Sequence, residues 1–204
     1  NASDYRTPDQ LPSGGVLVVG SGASGCQIAE ELLLAGRDVV LAVGPHRRVP
    51  RRYRGKDFIW WISALGMDER PVDEAVRRQP PLVLSGAYGG RTIDFRRYAA
   101  DGMRLAGRMI GADGAAATFA DDLNQVLAGG DAAYAGFVAA ADAHAAGLDF
   151  PIAESRPSYP EPVGLTWLDL AADRIGSVVW CTGYRYDFGW VRCGAIGEDG
   201  APIQ

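Results

Sequence analysis

Lysine is nearly missing from this chain of 204 residues: nineteen arginines stand against one lysine, Lys56. Histidine is scarce, with only His46 and His144. Neither neighbours a serine or cysteine with a nucleophile signature, so no catalytic triad is legible and both are expected at the surface. The three cysteines, Cys26, Cys181 and Cys193, lie far apart. That spacing excludes a disulfide framework, a zinc site and a C-x-x-C redox pair, and it points to a reducing cytoplasm. No apolar run approaches the ~20 residues of a membrane helix, and no charged-then-apolar leader opens the sequence, so no membrane span is expected. The net charge of −5 argues against wholesale nucleic-acid binding. One local absence says more. Between Val39 and Lys56 there is no acid, while Arg47, Arg48, Arg51, Arg52, Arg54 and Lys56 all fall there. A positive island on an acidic chain suggests a small anionic ligand, with most of the island a solvated surface run.

Glycine is abundant, at 27 residues, roughly twice the ~7% average. Such an excess implies tight turns or close approaches of backbone to ligand. Residues 3–13 are polar and carry prolines, so 1–10 reads as a linker, with Asn1-Ala2 resembling an expression scar. Residues 16–19 form a short apolar run, the pattern of a strand buried on both faces of a parallel sheet. A helix is expected over 26–35, stopped by Gly36, and a second buried strand over 39–43. Strand, glycine turn, helix and strand within thirty residues make one βαβ unit. Further on the pattern predicts a helix over 58–65 with Trp60 and Trp61, an irregular stretch over 79–92, and a strand over 103–110. A turn at Asp113-Gly114 leads into a partner strand ending near Phe119. An alanine-rich helical excursion follows at about 120–148, with a break at Gly129-Gly130, then a proline-rich loop over 151–164. A last buried strand over 177–181 runs into Thr182-Gly183.

Gly20-Ser21-Gly22-Ala23-Ser24-Gly25 is the strongest chemical signal. In a G-x-G-x-x-G turn the first glycine makes the tight exit from the strand. The second lets a pyrophosphate touch the backbone, and the third lets the helix pack on the strand. The helix N-terminus then presents free N–H groups to the phosphates. A site for NAD places an acid at the end of the second strand to accept from the ribose 2′-hydroxyl. Around Val43, Gly44, Pro45 and His46 there is none, and Arg47 and Arg48 follow at once. Guanidinium matches a 2′-phosphate by paired hydrogen bonds, so NADP(H) is the expected cofactor. Trp60 and Trp61 are expected to pack on the sheet, Asp121-Asp122 to mark a helix N-terminus, and Cys181 to be an inert core thiol.

Residues 3–57 and 178–184 resemble the NADPH-binding half of flavin-containing monooxygenases, the class B flavoprotein monooxygenases. Tyr5-Arg6-Thr7-Pro8 is similar to the tail of the family sequence F-x-G-x-x-x-H-x-x-x-[YF]-[KR]-x-[PD]. Gly20, Gly22 and Gly25 match its second glycine motif, and Cys181-Thr182-Gly183-Tyr184 its A-T-G-Y segment. The bacterial members it looks most like are flavoproteins named for potassium transport or cation efflux. The family's arginine at the end of the second strand is replaced by Gly44 and Pro45. The resemblance implies an α/β, Rossmann-like doubly wound sheet over 11–204 that binds NADPH at Gly20, Ser21, Gly22, Ala23, Ser24, Gly25, Arg47, Arg48, Thr182 and Gly183. It implies hydride transfer to FAD, held by an FAD-binding domain of the same polypeptide that lies outside this chain, and oxygenation or reduction of a small molecule. No general acid–base pair is evident, as expected where a flavin carries the chemistry. Two rival readings stand beside it: the nicotinamide domain of a disulfide reductase, which needs a redox pair such as the C-x-x-C that is missing here, and a non-catalytic nucleotide-sensing domain linked to ion transport.

Overall fold

The computed structural model describes residues 1–70, 78–184 and 187–197. Its centre is a four-stranded parallel sheet built from the chain's most apolar runs. β1 (Gly15–Val19) and β2 (Val39–Ala42) are buried along their whole length. β11 (Ile175–Trp180) pairs with β1 on the side away from β2, and β7 (Arg104–Ala106) pairs with β2, giving the order β11-β1-β2-β7. Between the first two strands runs α1 (Ala23–Leu34), which begins three residues earlier than the apolar spacing predicts. The glycine motif itself supplies its first turn.

Alternate residues of each strand point to opposite faces, and the two faces meet different layers. Val16, Val18, Val39, Leu41 and Leu105 pack with Ile28, Ala29 and Leu32 of α1, with Phe95 and Tyr98 of α3 (Phe95–Ala100), and with Leu123 and Leu127 of α4 (Leu123–Ala145). Leu17, Val19, Val40, Ala42 and Ala106 pack with Ala117, Phe119 and Leu168. Those three belong to a second sheet, antiparallel, of β8 (Met109–Asp113), β9 (Ala116–Phe119) and β10 (Trp167–Asp169). Where a doubly wound sheet carries helices on both faces, this one carries helices on one face and β-structure on the other.

The segment over 103–110 is two strands rather than one. The backbone leaves the parallel sheet after Ala106 and joins the antiparallel one at Met109. Gly107 makes the exit, because a Cβ there would fall on the Ala120 carbonyl oxygen. The predicted turn at Asp113-Gly114 does join β8 to β9. α4 runs unbroken through Gly129-Gly130, contrary to the expected interruption. Its burial against the chain on both sides outweighs the ~1 kcal/mol each glycine costs a helix. α3 went unforeseen; Asp94 caps it by accepting from the Arg96 N–H at 3.1 Å.

A third apolar cluster lies beside the sheet. Val49 and Tyr53 join Phe58 and Trp61 of α2 (Phe58–Ala64) and Phe137, Ala141 and Ala145 from the second half of α4. The chain enters it through β3 (Arg47–Arg48), which pairs with β6 (Leu82–Val83), and through a hairpin of β4 (Arg52–Tyr53) and β5 (Lys56–Asp57). Among the described residues no helix is long and apolar enough to cross a membrane.

Candidate nucleotide site

All four parallel strands end on one edge of the sheet, and the candidate residues gather there. Sheet order reverses between β11 and β1, the position where open α/β sheets bind ligands. Gly20 leaves β1 with φ +105°, and a Cβ on it would sit 2.5 Å from the Cys181 carbonyl oxygen. A Cβ on Gly25 would fall on the Gly20 carbonyl oxygen. Both glycines are therefore required by the protein's own packing. Gly22 is not. Its backbone is extended (φ −68°, ψ −177°), a conformation open to any residue, and a Cβ there would meet nothing within 4 Å. The missing side chain leaves open space in front of the first turn of α1.

That turn is electrostatically bare. Gly22 is the N-cap and offers no side chain, and the first turn contains no acid. Among the described residues the N–H groups of Ala23, Ser24 and Gly25 thus have neither intrahelical nor side-chain acceptors, the arrangement that receives an anion. Ser21 holds the loop against the neighbouring strand end: its Oγ accepts from the Gly44 N–H at 3.0 Å. The Cys26 thiol donates to the Ser21 carbonyl at 3.2 Å, and burial raises its pKa strongly. Across the switch point Thr182 and Gly183 are exposed just beyond β11, where the Cys181 N–H donates to the Val19 carbonyl at 2.8 Å. Burial pushes the Cys181 thiol up to about 11, in keeping with an unreactive core residue.

The two arginines after the second strand part company. Arg47 donates from Nε to the Pro80 carbonyl at 2.9 Å and from Nη1 to Gln79, and it lines a cavity of about 660 Å³ at the ends of β2 and β7. Arg48 turns inward and is 3% exposed. It forms ion pairs with Asp94 and with Asp131 (3.1 Å), beneath the ring of Tyr134 at 4.7 Å. Arg96 and Arg156 reach the same Asp131 at 2.8 and 2.7 Å. Arg51 pairs with Asp57 at 2.9 Å and Arg54 with Asp142 at 2.7 Å. Half of the positive island is thus neutralised by acids distant in sequence or just past its end. It is not a free surface run.

His46 is also inside, not at the surface. Its ring packs edge-on to Phe95 at 4.6 Å, and Nδ1 lies 3.0 Å from the Gly44 carbonyl. Burial lowers its pKa, which the Gly44 carbonyl partly opposes and Arg48 reinforces. A Cβ on Gly130 would strike its Nε2, which explains that glycine within α4. Trp61 is fully buried, but in the third cluster rather than on the sheet, stacked on Phe150 at 5.5 Å; Trp60 beside it is partly exposed. His144 lies at the surface within this aromatic group. Asp122 is the N-cap of α4, as expected, and its carboxylate accepts from the Arg108 N–H at 3.0 Å. Two cavity-lining residues, Arg108 and Gln125, escaped the sequence reading, since nothing in their neighbourhood marks them. Among the described residues no cluster of histidine, cysteine or acid is placed to hold a metal ion.

Part of this chain is similar to an oxidoreductase. Over 68 residues it is 46% identical to a protein of Geobacillus kaustophilus described as an uncharacterized oxidoreductase CzcO-like. The match takes in 33% of this chain and 19% of that protein's length. No family model matches.

Proposed function

We propose that the chain is the NADPH-binding, Rossmann-like portion of an FAD-dependent oxidoreductase of the monooxygenase type. The observation that carries this is Gly22: a glycine that neither backbone conformation nor packing demands, standing as N-cap of a helix that has no capping side chain. A pyrophosphate approaching the backbone accounts for both features. The likeness of a third of the chain to an oxidoreductase supports a redox role.

In this reading Gly22 and the N–H groups of Ala23, Ser24 and Gly25 hold the pyrophosphate, and Ser21 keeps the turn fixed to the end of β2. Arg47 supplies charge for the ribose 2′-phosphate, while Arg48 is committed to Asp94 and Asp131. Thr182 and Gly183 flank the opposite end of the nucleotide, across the switch point. NADPH bound here would supply a hydride to FAD, which sits on another segment of the same polypeptide.

The test is calorimetric titration of the chain with NADP⁺ and NAD⁺. NADP⁺ should bind more tightly; equal affinities, or tighter NAD⁺, overturn the assignment. Gly22→Val should abolish binding of both nucleotides while leaving the melting temperature within a degree or two, because no protein atom stands where the new side chain goes. A large drop in melting temperature would mean that Gly22 is there for packing.

A further inference from the structure

The cavity at the ends of β2 and β7 is lined by a glycine that no contact within the protein accounts for. Gly129 lies in the interior of α4, on its exposed side, and lines that cavity with Pro45, Arg47 and Arg108. Glycine in a helix interior is unfavourable relative to alanine. Its neighbour Gly130 is accounted for by His46, whereas a Cβ on Gly129 would meet nothing within 4 Å; the same holds at Gly136 of this helix, but of the two only Gly129 lines this cavity. The helix backbone is therefore bare where it faces the cavity. Arg108 stands two residues beyond the end of β7 and lines the same cavity as Arg47. Its backbone N–H is held by Asp122 and its carbonyl accepts from the Ala120 N–H at 2.9 Å, so the main chain is fixed. Its guanidinium has no acceptor among the described residues. The cavity thus presents two guanidinium groups against the single carboxylate of Asp122, which is already engaged by a backbone donor.

Resting on the nucleotide site proposed above, we infer that Arg108 and Gly129 form its adenosine end. Arg108 pairs with the 2′-phosphate together with Arg47, and the bare backbone at Gly129 lets the flat purine ring lie against α4. The geometry favours this because the cavity opens on the same sheet edge as the Gly20–Gly25 turn, one strand further along at the ends of β2 and β7. A planar ring needs an uncluttered wall. A dianion needs more positive charge than Arg47 alone, since Arg47 already shares its donors with Pro80 and Gln79.

The experiment is calorimetric titration of the chain and three variants with NADP⁺ and NAD⁺, with thermal unfolding measured in parallel. Arg108→Ala should weaken NADP⁺ about 10- to 100-fold, the scale of one charge-assisted hydrogen-bonding group, and leave NAD⁺ within about twofold. Arg108→Lys should recover part of the loss. Gly129→Leu should weaken both nucleotides alike, since the purine is common to them. Gly129→Ala separates this from a folding defect: it should raise the melting temperature while still lowering affinity. If unaltered chain binds neither nucleotide, the site at Gly20–Gly25 falls and the adenosine end falls with it. If it binds NADP⁺ and the Arg108 and Gly129 variants bind as well, only the adenosine end is overturned. An equal loss of NADP⁺ and NAD⁺ in Arg108→Ala overturns the 2′-phosphate role.

Discussion

Arg47 and Arg48 are adjacent, chemically identical and opposite in fate, because neighbours on a strand point to opposite sides. Arg47 faces the cavity; Arg48 is the buried member of a group of three arginines and two aspartates that reaches the surface at Arg156, with Tyr134 over its guanidinium. The two substitutions should therefore fail in different assays. Arg48→Ala leaves Asp94 and Asp131 without their innermost partner and should destabilise the chain by about 3 kcal/mol, measured by urea unfolding. Arg47→Ala should leave stability nearly unchanged and weaken NADP⁺ by about 1–3 kcal/mol. Equal effects on stability would mean that neither arginine is free for a ligand. Nothing in the Val39–Lys56 stretch distinguishes the two. The partners of Arg48 lie 46 and 83 residues away, beyond any local pattern.

At the scale of elements, the junction of α4 with the exit from β2 has one titratable group at its centre. His46 packs between Phe95 and Gly130, and its pKa is lowered chiefly by burial. The folded state therefore binds this proton less readily than the unfolded chain. Stability is fully present above the unfolded value of about 6.5 and declines as pH falls below it. Asp142 and Glu154, held below their ordinary values by Arg54 and by backbone donors, lose their contribution only in the more acidic range where unfolded carboxylates titrate. Denaturant unfolding at pH 7.5 and 5.5 should thus show a loss that His46→Phe reduces. A slope unchanged by the substitution would place the titration elsewhere. Gly130→Ala should cost about 1–3 kcal/mol at either pH, since its Cβ and the imidazole cannot share the space.

The same junction marks where element reading from sequence stops working. β1, α1 and β2 were legible because their apolar periods are continuous and their signals local: a buried run, a glycine turn, a helical stripe, a glycine stop. α4 was legible as a helix but not as an unbroken one, because the reason for Gly130 is a histidine 84 positions earlier in the chain. The strand over 103–110 divides because two sheets compete for it, and sequence spacing carries no sign of the second sheet. The N-terminal stretch read as a linker is docked: the Ala2 N–H donates to the Trp180 carbonyl at 2.9 Å, and the Tyr5 hydroxyl to Glu31 at 2.9 Å. Short polar composition describes a segment's solubility, not its contacts.

For the whole molecule, one glycine turn serves one dinucleotide, and the proposed assignment gives it to NADPH. The chain purified alone should then be colourless and should not consume NADPH in a steady-state assay monitored by nucleotide absorbance. Bound flavin in its visible spectrum would mean that the Gly20–Gly25 turn holds FAD instead, and it would overturn the assignment. The large scale also shows how the apolar clusters divide the work: two sandwich the parallel sheet, and a third, around Trp61 and Phe137, supports the arm bearing Arg47. That arm reaches the sheet edge because α4 spans both regions in a single helix of 23 residues.

By itself the sequence determined the βαβ unit, the glycine turn at its heart and the lack of an acid after the second strand. Each is a local property, set by the sterics of a few consecutive residues. Tertiary structure alone decided which charges remain free. An arginine's availability depends on acids that folding brings to it, and here folding buries Arg48 and leaves Arg108 without a carboxylate partner among the described residues. It also decided which glycines serve the protein and which face open space, because only the folded chain supplies the atoms a Cβ would meet.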